Sequence, residues 1–245
     1  MTKSQTSRDI YRGRDPRDIP TYSFREAAHW LQIPLPTLRS WVRGRDYPTA
    51  AGKKKFRPVI QLPDEALPLL SFTNLVEAHV LDAIRYHHDV PLKNIRSAIS
   101  YLRGQHSDSQ HPLAEYWFQL KGVDLLIEDG DLMVNATKQG QLEMKDIIQA
   151  YLKRVDRDPT GAALRLYPYL QHHPKALERE PKIVLIDPRI SFGKPVLVGV
   201  GVPTAVIASR HQAGESVTDL AKDYGCEASE IEKTIQYERR IQKAA

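Results

Sequence analysis

Apolar residues recur at helical spacing along most of the chain, interrupted by short β-type runs and turn residues. In the first such stretch Ala27, Ala28, Trp30 and Leu31 form one apolar face. Ser23 and Glu26 precede it with capping-box spacing, in which the hydroxyl accepts from a backbone N–H three residues on and the carboxylate reaches back. The spacing predicts a helix beginning at Ser23. Gln32, Ile33 and Pro34 then turn the chain into a second short helix. Leu38, Trp41 and Val42 take its inward face, which leaves Thr37, Arg39, Ser40 and Arg43 outward. Gly44 suits the position just beyond the helix end. The run Gly52-Lys53-Lys54-Lys55-Phe56-Arg57, with Val59, Ile60 and Leu62 behind it, reads as a β-hairpin wing with a basic tip.

The pattern downstream is again helical. Leu75, Ala78, Leu81, Ile84 and Arg85 make one helix, Asp89-Val90-Pro91 breaks it, and Leu92, Ile95, Ile99 and Leu102 stripe the next. A polar stretch at 105–112 predicts a boundary. Asp129-Gly130 joins two apolar runs at 124–128 and 131–134, a strong hairpin signal. Residues 142–151 read as a helix with Ile147, Ile148 and Leu152 inside, and the proline-bearing stretch 158–180 as irregular. Ile183 to Ile186 predict a strand and 191–203 a hairpin. Three helices are expected at 205–213, 217–224 and 229–240, with Ser216 and Asp219 at a second capping-box spacing. Leu220, Ala221, Tyr224, Ile231 and Ile235 supply their core. The fold class is therefore mainly α with small β-hairpins, α+β. The expected organisation is a flexible arm (1–20), a winged helix-turn-helix (21–104), a middle hairpin–helix segment (105–181) and a β-hairpin plus three-helix module (182–245).

Charge sharpens this division. The first sixty residues hold 13 Lys or Arg against 5 Asp or Glu, and the rest hold 22 against 25. The positive charge is local, as expected where one segment approaches a polyanion. From residue 182 onward 9 basic residues face 8 acidic ones, which argues against a second nucleic-acid surface there. A length of 245 residues suits two or three domains. No run is apolar enough to span a membrane, and the polar N-terminus lacks a secretory core segment. One cysteine, Cys226, excludes an internal disulfide framework and fits a reducing compartment, so a cytoplasmic protein is expected.

The same residues carry no catalytic constellation. Gly193, Gly199 and Gly201 are wrongly spaced for a phosphate loop. The adjacent pairs His87-His88 and His172-His173 do not converge on one point of a helix, and none has zincin spacing. The cluster Glu128, Asp129 and Asp131 reads as a solvated turn. No cofactor, metal site or enzymatic activity is expected.

Two resemblances add to this reading. Tyr22-Ser23-Phe24-Arg25-Glu26-Ala27-Ala28 with Pro36-Thr37-Leu38-Arg39-Ser40-Trp41 resembles the DNA-binding domain of MerR-like regulators. That family often places a Ser cap before a Pro here, whereas this chain has Pro34, Leu35 and Pro36, and no long dimerising helix follows residue 104. The stretch with Asp187-Pro188-Arg189-Ile190, Gly193-Lys194-Pro195-Val196, Val202-Pro203 and Leu220-Ala221-Lys222-Asp223-Tyr224 resembles the domain of unknown function 433, the VapB-type antitoxin module. Together they imply a DNA-binding antitoxin whose partners are operator DNA and a PIN-like ribonuclease toxin, acting as a homodimer or higher oligomer. DNA contacts are then expected from Ser23, Arg25, Thr37, Arg39, Ser40 and Arg43, with Lys53, Lys54, Lys55 and Arg57 on phosphates. The other reading is a ligand-responsive MerR-like transcription regulator without a toxin partner.

Overall fold

A computed structural model describes residues 11–49, 52–88, 92–105, 111–115, 146–169 and 180–243. Strand β1 (Tyr22–Ser23) leads into helix α1 (Phe24–Trp30), and α2 (Leu35–Arg43) follows. Ser23 caps α1 as its spacing predicts: its Oγ accepts from the Glu26 N–H, and Glu26 Oε2 accepts from the Ser23 N–H at 2.9 Å. Such a cap is worth about 1 kcal/mol. Strands β2 (Arg45–Thr49) and β3 (Gly52–Phe56) form the wing. Strand β4 (Leu69–Leu70) returns to pair with β1, and the long α3 (Phe72–His88) and α4 (Leu92–Gln105) complete the head.

Beyond a short 3-10 turn at Pro112–Ala114, a helix α5 at 146–152 leads to β5 (Val155–Arg157) and β6 (Ala163–Leu166). The C-terminal part holds β7 (Val184–Leu185), β8 (Val196–Leu197), α6 (Thr204–Gln212), α7 (Val217–Tyr224) and α8 (Ala228–Lys243). All four sheets among the described residues are antiparallel pairs: β1 with β4, β2 with β3, β5 with β6, and β7 with β8. The architecture is thus α+β, with helices carrying most of the core.

Two parts of the chain depart from the sequence expectation. The stretch 158–180 is not wholly irregular, because β6 lies in it. Its turn is set by Asp158, whose Oδ1 accepts from the N–H groups of Thr160 (2.9 Å) and Ala162 (3.1 Å). Such side-chain turns make a hairpin where propensity alone reads only Pro and Gly. Residues 11–20 of the expected flexible arm run through turns and hold the rest of the chain. Arg17 bridges to Asp158 at 3.0 Å, its carbonyl accepts from the Thr73 N–H at 3.0 Å, and the Tyr11 hydroxyl donates to the Pro188 carbonyl at 3.0 Å. Charged residues that read as solvated are here paired across the fold. Residues 1–10 and the expected hairpin at 124–134 lie outside the described residues.

One hydrophobic core runs from Tyr22 through α2, α3 and α4 to Leu152, Leu166 and Ile186. A second gathers Ile183, Val184, Leu197, Ile207, Leu220, Ile231 and Tyr237. Trp30 packs against both. The buried Tyr237 hydroxyl donates to the Trp30 carbonyl at 3.0 Å, a group left open at the end of α1. The head and the C-terminal module are therefore joined by packing and by a satisfied hydrogen bond.

Candidate nucleic-acid interface

The corner between α1 and α2 is tight. The Ile33 N–H donates back to Ala28 at 2.9 Å, and Gln32 takes a left-handed φ of 56°. Pro34 stands at the N-cap of α2 without a side-chain bond, and Pro36 lies in its first turn. Proline is tolerated there because its missing N–H would have no helical partner. Leu38, Trp41 and Val42 are buried beneath the helix. Gly44 closes it with φ 73°, a conformation that favours glycine. After the wing the chain is stitched back onto this helix: the N–H groups of Val59 and Ile60 both donate to the Trp41 carbonyl, at 2.7 and 3.1 Å.

The outward face of α2 lines an open groove of about 770 Å³. Thr37, Arg39, Ser40 and Arg43 all border it, as their spacing predicts, and Phe24 and Pro68 form part of its wall. Arg45, at the foot of the wing, is a cation that the helical pattern alone did not single out. No carboxylate among the described residues lines the groove. Arg39 is exposed and makes no ion pair among the described residues. Arg43 lies 5.7 Å from the Phe24 ring centroid, which steadies a long side chain at the mouth of the groove. The Ser40 hydroxyl donates to the Thr37 carbonyl at 2.8 Å, so its proton is committed inward while its lone pairs can still accept.

The other expected contacts are placed differently. Ser23 is occupied as the cap of α1, where its hydroxyl also donates to Glu26 at 2.8 Å, and Arg25 is exposed on the first turn of that helix. Lys53, Lys54 and Lys55 lie along β3, opposite Pro48, Tyr47 and Asp46, rather than at the hairpin turn. Arg57 is exposed just past β3, and its carbonyl accepts from the Arg96 guanidinium, with Nε at 3.1 Å. Arg96, a long-range clasp from α4 to the base of the wing, had no signal in the local pattern.

Beneath the site, α3 carries polar groups in a buried chain. The Asn74 amide donates to the Gln61 carbonyl at 2.8 Å and to Glu77 at 2.9 Å, and Glu77 also meets His111 Nδ1 at 3.1 Å. Burial of His111 favours its neutral form, but the Glu77 hydrogen bond and charge outweigh this and hold its pKa above the usual value. Nearby on the same helix, burial pushes the Asp82 carboxyl up to about 7. The Asn74 bond to Gln61 fastens the segment after the wing to α3, and the Glu77 contact fastens His111 to the same helix. No group of His, Cys, Asp and Glu among the described residues could hold a metal ion, and no described helix is long and apolar enough to cross a membrane.

Comparison with known proteins follows the same division. Residues 20–99 match a family described as "Putative DNA-binding HTH domain", and residues 184–237 match "Protein of unknown function (DUF433)". Among curated relatives, "Putative antitoxin VapB45" of Mycobacterium tuberculosis is 27% identical over 236 residues, covering 89% of this chain and 93% of that protein. "Uncharacterized protein Rv2308" of the same organism is 25% identical over 238 residues, covering 93% of each. The crystal structure of RV2018, also from Mycobacterium tuberculosis, shares the fold with a TM-score of 0.62 at 22% identity, over 89% of this chain and 98% of that one. The chain therefore joins an N-terminal stretch that matches a helix-turn-helix family to a C-terminal stretch that matches DUF433.

Proposed function

We propose that this protein is a DNA-binding antitoxin that represses its own operon and neutralises a PIN-like ribonuclease toxin by direct binding. The observation that carries the DNA half is the groove over α2, which gathers Thr37, Arg39, Ser40 and Arg43 with no carboxylate among them. In the major groove, Arg39 and Arg43 read base edges while Thr37 and Ser40 contact bases or phosphates. Arg25, Lys53, Lys54, Lys55 and Arg57 hold the backbone on either side, and Ser23 acts as the cap that sets the entry of α1. A homodimer on paired half-sites supplies the second copy of the groove. The toxin half rests on the antitoxin name borne by a relative that matches this chain over nearly its whole length.

The test is co-expression with the product of the adjacent gene, with a growth assay and a mobility shift on the upstream DNA. The expected result is that the neighbour arrests growth alone, that this chain rescues growth and co-purifies with it, and that the chain retards the upstream fragment. A harmless neighbour that does not co-purify would overturn the antitoxin reading and leave the DNA-binding reading to stand on the mobility shift.

A further inference from the structure

In the C-terminal domain, residues 187–194 form a loop whose conformation is more constrained than its connection of β7 to β8 requires. Three successive residues, Ser191, Phe192 and Gly193, have φ of 48°, 55° and 73°. For an L side chain that region costs roughly 1–2 kcal/mol per residue, and it persists only where the surroundings over-determine it. Here the loop is held from behind. Gly193 lies so close to the head that a Cβ would stand 1.9 Å from the Tyr22 hydroxyl oxygen. Its N–H donates to the Ile190 carbonyl at 2.9 Å, the Lys194 N–H to Ser191 at 3.2 Å, and the Ser191 hydroxyl to Gly201 at 3.2 Å.

This frame turns Phe192 outward. It is 76% exposed, more than any other large hydrophobic residue among those described. The backbone that carries the ring is fixed and a phenylalanine has only two side-chain torsions, so docking costs it little conformational freedom. The exposed charges of the loop itself are of one sign, and the Asp15 carboxylate within electrostatic reach of Arg189 is bonded to Arg17. Arg189 and Lys194 are exposed on either side, while the loop's own carboxylate, Asp187, is buried and meets Arg165 at 3.2 Å.

We infer that residues 189–194 are a protein-docking surface, in which Phe192 enters an apolar cleft and Arg189 and Lys194 meet carboxylates on its rim. The occupant is the toxin of the antitoxin reading above, on which this inference rests, and that toxin must present an acidic-rimmed apolar cleft. A nucleic acid fits the surroundings less well, because the domain is nearly balanced in charge, with 9 basic residues against 8 acidic ones from residue 182 onward, and Asp219 and Glu232 lie exposed on its helices.

The experiment measures binding of the full chain to the purified product of the adjacent gene by calorimetry, for wild type, Phe192→Gly and the double variant Arg189→Ser, Lys194→Ser. Glycine accepts the left-handed φ, so Phe192→Gly keeps the loop, and an unchanged melting temperature confirms it. The expected result is a loss of roughly thirtyfold or more for Phe192→Gly. The double variant should bind more weakly with a flatter salt dependence, and upstream-DNA affinity should be unchanged in both. Wild-type binding with Phe192→Gly within threefold of it, as an order-of-magnitude bound, overturns the docking surface and leaves the antitoxin reading intact. Failure of the wild type to bind overturns that reading and this inference with it. A loss confined to a labelled single-stranded oligonucleotide assigns the loop to nucleic acid instead.

Discussion

Arginine is used in opposite ways at the two ends of this molecule. In the C-terminal domain Arg210 is enclosed by its own chain: its guanidinium donates to Glu215 at 2.7 Å, to Asp223 at 2.5 Å and to the Tyr224 hydroxyl at 2.8 Å. In the head Arg39 stands exposed over a groove and, among the described residues, no carboxylate lines that groove and none pairs with Arg39. The same side chain is a local brace in one place and an open donor fork in the other. Charge counts along a sequence therefore locate a site only when the pairing of each charge is known. In the C-terminal domain Lys182 and Arg210 already have carboxylate partners, whereas Arg189 and Lys194 stand exposed.

The comparison is tested most severely at its foundation. Trp41→Ala empties the space beneath α2 and is expected to cost about 3–5 kcal/mol. Thermal melting should fall steeply and DNA binding should be lost with it. Arg39→Ala is expected to weaken operator binding by about 1–3 kcal/mol while leaving the melting temperature in place. Arg210→Ala should show the reverse, a small drop in melting temperature with operator affinity unchanged. Equal effects of the two arginine variants in a mobility shift would erase the contrast. Replacing Lys53, Lys54 and Lys55 together by Ala should weaken binding to any DNA sequence and lower the salt slope by roughly 0.9 per lost phosphate contact. Identical slopes for wild type and triple variant would remove the lysines from the interface.

A further expected effect concerns pH. The Asp82 carboxyl is held up to about 7 in the fold by burial, against an ordinary value of 3.8. A folded pKa above the unfolded one means that the folded state binds more protons in between. Stability from this group is therefore greatest below about pH 4 and is lost as pH rises towards 7. Asp82→Asn should flatten that part of the profile, and denaturant melts at pH 5 and 7 would read the difference. An unchanged slope would show that the carboxyl is compensated within α3.

What the sequence made legible was local. The capping box at Ser23, the N-cap at Ser216, the inward Leu38, Trp41 and Val42, and the terminating Gly44 all follow from spacings within a few residues. These signals depend on helix geometry alone, and so the outward face of α2 could be read before any tertiary structure. What stayed hidden was long-range. The clasp of Arg96 on the Arg57 carbonyl, the bridge from Arg17 to Asp158 and the approach of Gly193 to Tyr22 join residues far apart in the chain, with no local pattern to mark them. Arg45 was missed for another reason. It belongs to neither helix period, and it enters the groove only because Gly44 turns the chain back across α2.

The bond from Tyr237 to the Trp30 carbonyl spans 207 positions of sequence. Synthesis runs from the N-terminus, so helix α1 emerges from the ribosome long before the side chain that completes it. The helix-turn-helix head thus attains its full packing only when α8 is present, and a transcript cut short upstream of Tyr237 yields a head with an open seam at Trp30. The fold in this way makes the finishing of one end conditional on the arrival of the other.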